Sequence, residues 1–299
     1  MITIKKGDRG WENPENWEDV ESLPGFVKDI DPREVELDAV IGKYREPELR
    51  VCGFSTCRTK HFRGYIASTK DGRVTNIGVD CGKKHFGVDF ETMSRQLDRD
   101  WQNQQRRLEI SAAQNMCDGW IIKCSNLING DRAASWINRQ YRLIIDREDG
   151  LPPSVSQDLL KLIKSGDNVL YRERTATEQE KDIARETGQQ QLEIIREEIG
   201  SIQGIKGLGL IEELRNILPK DLELNLKNLS EIDVNKCTDT ELRYWAKWSG
   251  EVESKFTRAT MIIEDARKFF NQDNITLLSE IALNRKDEKK VMLIAKKYK

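Results

Sequence analysis

Val51-Cys52-Gly53-Phe54-Ser55-Thr56-Cys57 and, further on, Asn76-Ile77-Gly78-Val79-Asp80-Cys81-Gly82-Lys83-Lys84-His85-Phe86-Gly87 decide how this chain is read. Three of its six cysteines and both of its histidines fall between Cys52 and His85. Zinc takes four ligands at tetrahedral corners, and a tight turn brings a short-range ligand pair to one ion at little entropic cost. Cys-x4-Cys and Cys-x3-His are such pairs. Between them, residues 62–67 and 73–77 are predicted strands joined by Thr69-Lys70-Asp71-Gly72, whose Asp-Gly is a hairpin signal. Cys81 and His85, four apart, share a face if a helix starts near Cys81. The expected zinc ligands are Cys52, Cys57, Cys81 and His85, with His61 as the alternative fourth. Three thiolates and one imidazole form a closed set with no position for water or substrate, so the zinc is expected to be structural, a staple for a module with little core of its own.

Pair, hairpin and pair, with a helix opening at the second, resemble the treble-clef class of zinc ribbons. Ile77-Gly78-Val79-Asp80-Cys81-Gly82-Lys83-Lys84 is similar to the second knuckle, Ile-Gly-x-x-Cys-Gly, of small zinc-ribbon modules in bacterial and phage proteins. The resemblance covers about residues 50–90. The first knuckle departs from it, because Cys-x4-Cys stands where such modules carry Cys-x2-Cys. Some treble-clef modules are metal-dependent nucleases that use a histidine beside the hairpin as general base. Here that base would be His61, and no second metal-binding His or Asn follows on the helix.

A charged fraction of 33% beside 37% hydrophobic residues describes a surface-rich protein able to bury a core. No apolar h-region opens the sequence and no stretch is apolar enough to span a bilayer, so a soluble cytoplasmic protein without membrane contact is expected. The remaining cysteines, Cys117, Cys124 and Cys237, are scattered through helical sequence, which fits a reducing compartment and no disulfides. The net charge of −2 conceals an asymmetry. Residues 1–49 hold seven Lys/Arg against thirteen Asp/Glu, and residues 50–85 hold eight against two. Either the acidic arm neutralises the basic module locally, or the basic face, with Arg58, Lys60, Arg63, Arg73, Lys83 and Lys84, meets nucleic-acid phosphate, or the acidic arm meets a basic partner surface.

Beyond Phe90 the pattern turns helical. Residues 91–116 are predicted as an exposed or partner-contacting helix; Asp131 is expected to cap the next, carrying Ile137, Tyr141 and Ile144. Asp149-Gly150-Leu151-Pro152-Pro153 marks a boundary, followed by a short helix over 156–164. A polar helix is expected from Thr177 toward Ile199, with Leu192, Ile195, Ile199 and Ile202 as a narrow seam suited to a helical hairpin or self-association. Gly204-Ile205-Lys206-Gly207-Leu208-Gly209-Leu210 lacks the Lys-Ser/Thr of a phosphate loop and is read as a tight interhelical turn. Leu242, Trp245, Trp248, Ile262, Ile263, Ala266, Phe269 and Phe270 are spaced as core.

The fold class expected is α+β: a small zinc-stapled β-hairpin module at the N-terminus with a predominantly α-helical body. The divisions are an acidic arm (1–49), the zinc module (50–90), a helical segment (91–150) and a C-terminal helical domain (151–299). Without a catalytic constellation, the expected function is a non-enzymatic protein-interaction protein, homo-oligomeric and bound to a host protein complex. In size and organisation the chain resembles phage-encoded antagonists of bacterial anti-phage defence, such as inhibitors of the Gabija system. That resemblance implies an oligomer wrapping a nuclease–helicase complex in the host cytoplasm. A nucleic-acid-binding zinc ribbon is the alternative, and a metal-dependent nuclease a further one.

Overall fold

The computed structural model describes residues 1–7, 10–187 and 193–299. It is a mixed α/β structure, predominantly helical, with two antiparallel sheets. The chain forms two compact units, Met1–Ser111 with Val234–Ala246, and Ala112–Asp233 with Lys247–Lys299.

In the first unit, β1 (Ile2–Lys6), β2 (Gly10–Glu12), helix α1 (Trp17–Glu21), β3 (Leu37–Val51), β4 (Lys60–Thr69) and β5 (Val74–Ile77) precede helix α2 (Val79–Asn129). The sheet order is β2-β1-β3-β4-β5, antiparallel throughout. Residues 1–49, read as an acidic arm, thus supply β1, β2, α1 and most of β3. Side chains alternate across a strand, and both faces of this sheet are covered. Ile2, Ile4, Trp17, Val20, Tyr44, Ile66 and Val74 make one core. Ile30, Val40, Cys52, Phe54, Ala67, Ile77, Phe90 and Leu97 make the other. The neighbours Ile66 and Ala67 divide between the two, as the period demands.

The hairpin forms where Asp71-Gly72 places it. Gly72 has φ +84°, its N–H donates to the Thr69 carbonyl at 2.8 Å, and the Thr69 N–H donates to Arg73 at 2.8 Å. This is a three-residue connection closed by a left-handed glycine. Helix α2 then opens at Val79, two residues before Cys81, and breaks its helical path at Gly87 (φ 54°, ψ −131°). The exposure expected for residues 91–116 holds for only part of that surface, because Leu97, Ile110 and Ala113 are buried there.

The second unit contains α3 (Ala134–Ile145), α4 (Pro153–Ser165), β6 (Val169–Thr175), α5 (Glu178–Glu186), β7 (Ile194–Ser201), α6 (Ile205–Gly209), α7 (Ile211–Arg215), α8 (Leu224–Glu231), α10 (Gln272–Leu277), α11 (Arg285–Ala295) and most of α9 (Asp239–Phe269). A π-helical stretch, Asn216–Glu223, joins α7 to α8. Two expectations are corrected. Asp131 does not cap α3, whose N-cap is Ala133 with no side-chain bond. The long helix over 177–199 is replaced by α5, closed at its start by a Thr177–Glu180 capping box, and by β7, which pairs antiparallel with β6. Ile195 and Ile199 therefore lie on a strand, and Leu192 lies outside the described residues.

The aromatic stripe is core: Trp245, Trp248, Phe256, Phe269 and Phe270 are buried. The glycine-rich segment seats α6 on α9. A Cβ at Gly204 (φ 78°) would lie 2.5 Å from the Phe269 nitrogen, and one at Gly207 would lie 2.3 Å from the Ala266 nitrogen. The Gly207 N–H donates to Asp265 Oδ2 at 2.8 Å. These glycines thus serve helix packing. Gly207→Ala gains up to about 1 kcal/mol of helix propensity, but meets backbone that cannot yield cheaply. A net loss of about 3 kcal/mol in urea denaturation is expected; a loss below about 1 kcal/mol would show that α6 can shift.

Candidate metal centre

Three sulfurs converge. Cys52, Cys57 and Cys81 place their Sγ atoms within 4.8 Å of one another, the only such cluster of potential metal ligands among the described residues. Cys52 ends the run after β3, Cys57 closes the first knuckle, and Cys81 sits in the first turn of α2. The knuckle is shaped by main-chain bonds: the Cys52 N–H donates to Thr59 at 2.9 Å, and the Cys57 N–H to Phe54 at 3.2 Å. It is tied to its surroundings by Ile30 N–H to the Gly53 carbonyl and Gly53 N–H to the Asn76 carbonyl, each 2.8 Å. Four residues between the cysteines, where two are usual, therefore still close a turn.

All six cysteines are free thiols. Cys57 and Cys81 approach to 2.8 Å, well beyond the ~2.05 Å of a disulfide and inside the ~3.8 Å edge that tetrahedral Zn–S bonds of about 2.3 Å would set. A metal between them therefore needs the Cys57–Cys81 pair to open by about 1 Å. The three thiols differ in their electrostatics, with Cys52 and Cys81 raised and Cys57 lowered. Burial raises the Cys52 thiol, but the backbone N–H groups of Gly78 and Phe54 point at its sulfur and favour the thiolate. Burial also opposes ionisation of Cys57; hydrogen bonds from Cys81 and Thr59 outweigh it and bring that thiol down to about 7. Cys81 is raised, by burial first and then by its bond to Cys57. Donors aimed at sulfur in this way hold thiolate ligands in metal sites. The residues present fit a thiophilic divalent cation.

Neither histidine nitrogen joins the sulfur cluster. His85 lies one turn beyond Cys81 on α2, and its ring packs edge-on against Phe54 of the knuckle, with centroids 5.3 Å apart. His61 lies on β4, its Nδ1 3.0 Å from the Tyr44 hydroxyl. Its Nε2 is buried without a hydrogen-bond partner, and the ring lies beside Gly78. Burial lowers its pKa, which keeps the imidazole neutral.

The sequence reading missed three supporting groups. Gly78 lies inside the quoted motif, and its role is the N–H it offers Cys52. Tyr44 and Asn76 are linked by a 3.3 Å bond from Asn76 Nδ2, which also donates to the Val51 carbonyl at 2.9 Å. Buried polar residues on strands that pair only at long range give no local signal.

Of the basic residues predicted for phosphate, three pair with nearby carboxylates: Arg58 with Asp29 (3.4 Å), Arg73 with Asp71 (2.5 Å) and Lys83 with Glu91 (3.6 Å). Lys70 likewise pairs with Glu36 at 2.5 Å. Carboxylates of residues 1–49 thus neutralise part of the basic module. Lys60, Arg63 and Lys84 are exposed.

No helix is long and apolar enough to cross a membrane among the described residues. No protein-family profile, curated protein or solved structure matches the chain.

Proposed function

We propose that the chain is a non-enzymatic protein-interaction protein whose N-terminal unit is held by one structural zinc on Cys52, Cys57, Cys81 and His85. The observation that carries the zinc part of this reading is the three-sulfur cluster with backbone donors aimed at it. With a histidine as fourth protein ligand, a thiolate-rich site of this kind leaves zinc no open position. His85 completes the set by sharing a helix face with Cys81 and lying over the knuckle; His61, with its unpartnered Nε2, is the alternative. Metal analysis decides between them. His85→Ala is expected to lose most of its zinc and His61→Ala to keep it, and the reverse result would transfer the fourth position to His61.

The partner we propose is a host protein complex, with an anti-phage complex of the Gabija type as the specific candidate, bound by an oligomer of this chain. Co-expression with an active Gabija system tests it. Restored phage plating together with a complex stable on gel filtration is expected. Unchanged plating with no complex would reject that partner.

A further inference from the structure

The sheet of the second unit has two strands, and among the described residues no further strand pairs with the outer edge of β6 or of β7. A two-stranded ribbon is marginal by itself, and an open edge offers a row of main-chain donors and acceptors to another strand. The sequence places a self-association seam on this same segment, and two of its members, Ile195 and Ile199, lie on β7.

The register fixes which groups point outward. The Ala176 N–H donates to the Glu193 carbonyl at 2.9 Å, and the ladder continues with Arg174 opposite Ile195 and Arg172 opposite Glu197. Hydrogen-bonded pairs alternate along an antiparallel ladder. Ile195 and Glu197 therefore bond inward to β6, while the main-chain groups of Ile194, Arg196 and Glu198 point to the open edge of β7. Their side chains share one face and are exposed, Ile194 to 61%. Arg196 lies over the Tyr171 ring at 4.1 Å, and neither it nor Glu198 meets an opposite charge among the described residues, whereas the neighbouring Arg172, Arg174 and Glu197 are all paired.

An antiparallel partner must match outward residues with outward residues, which leaves few registers. With a second copy of β7 turned about a two-fold axis at Glu197, Arg196 of each copy stands opposite Glu198 of the other. One step to either side sets Arg196 against Arg196 or Glu198 against Glu198, and like charges directly opposite repel. Glu197 meets its counterpart at the axis, but its carboxylate already holds Arg172 at 3.2 Å and Arg174 at 3.4 Å, so no bare charges collide. The β6 edge fails the same test. Its outward residues are Tyr171, Glu173 and Thr175, and registers centred on that strand set Arg172 against Arg172 or against Arg174.

We infer that two copies of this chain join along β7, antiparallel, into one four-stranded sheet closed by reciprocal Arg196–Glu198 pairs. A two-fold contact of this kind is self-complementary and closes at two subunits. It gives the oligomer of the reading above an interface and rests on that part of it; measured on the chain alone, it stands or falls apart from the host partner.

Sedimentation equilibrium of the full-length, zinc-loaded protein from micromolar to submillimolar concentration tests it. A reversible dimer is expected. Arg196→Glu and Glu198→Arg should each weaken it about tenfold or more, because two attractive cross-strand pairs become two repulsive ones. The double variant should recover the parent's dimer, and so should an equimolar mixture of the two single variants, in which every Glu faces an Arg of the other chain. Melting of the single variants at low concentration should match the parent, since both side chains are exposed and unpaired. A parent that stays monomeric overturns the proposal, as does a dimer indifferent to either single change or one that neither the double variant nor the mixture recovers. If the parent is monomeric and the single variants lose the host complex, the edge takes a strand of the partner, and pairing between copies is overturned.

Discussion

Replacing Cys81 by serine is expected to remove the zinc and to strip hydrogen-exchange protection from residues 52–59 and 79–86, while β1 and β3 keep theirs. The boundary of that loss follows from the packing. On one side of the sheet, Ile2, Ile4, Trp17, Val20, Tyr44, Ile66 and Val74 form a core without the knuckle. On the other, Cys52 and Phe54 are themselves core members, so the knuckle and the opening of α2 lose their anchor when the ligands separate. Structural zinc contributes on the order of 10 kcal/mol where a fold has little else. Here the sheet supplies its own core, and the loss should be local and smaller, about 3 kcal/mol or a hundredfold in protection of those two segments. Chelation of the parent protein should reproduce the pattern. Unchanged protection in both segments, or full zinc retention by the serine variant, would remove Cys81 from the site. Collapse of the whole unit would mean the sheet cannot stand without the metal.

That local scope revises what the sequence alone implies. Read from residues 50–90, the module is too small for a core and needs a staple. The missing core comes from β1 and β3, whose pairing of Ile2 with Tyr44 spans some forty residues and leaves no local trace. β3 is further disguised by charged residues and by Pro47, which falls where the pairing with β4 skips from Arg45 to Arg50. The hairpin and the start of α2 were legible because their determinants, Asp71-Gly72 and the spacing of Cys81, are local. Residues 195 and 199 show the opposite case. A separation of four puts two side chains on one face of a helix and equally on one face of a strand, so Ile195 and Ile199 cannot distinguish α-helix from β7. Ile202, which does discriminate, lies beyond the strand end at Ser201. At the metal centre, the three sulfurs were legible from spacing. Whether either histidine joins them was not, because His61 and His85 both flank the hairpin and the choice depends on geometry that spacing does not carry.

Phe54→Ala should be the most damaging single change in the knuckle. The ring is fully buried, meets His85 and Phe86 edge-on at 5.3 and 5.6 Å, and lies where the main chain bridges to Ile30. Truncating a phenylalanine so placed costs about 3–5 kcal/mol through lost burial and the cavity left behind; Phe54→Leu, which keeps most of the volume, should cost about 1.5 kcal/mol. Zinc affinity adds a second readout. If Phe54 orients His85 toward the sulfurs, the alanine variant should bind zinc more weakly than the leucine variant. That difference should vanish in a His85→Ala background, since a coupling energy exists only while both partners are present. Persistence of the full difference without His85 would show that Phe54 acts on the metal through the sulfurs of the knuckle alone. A stability loss below about 1 kcal/mol for the alanine variant would show that the second core closes over the missing ring.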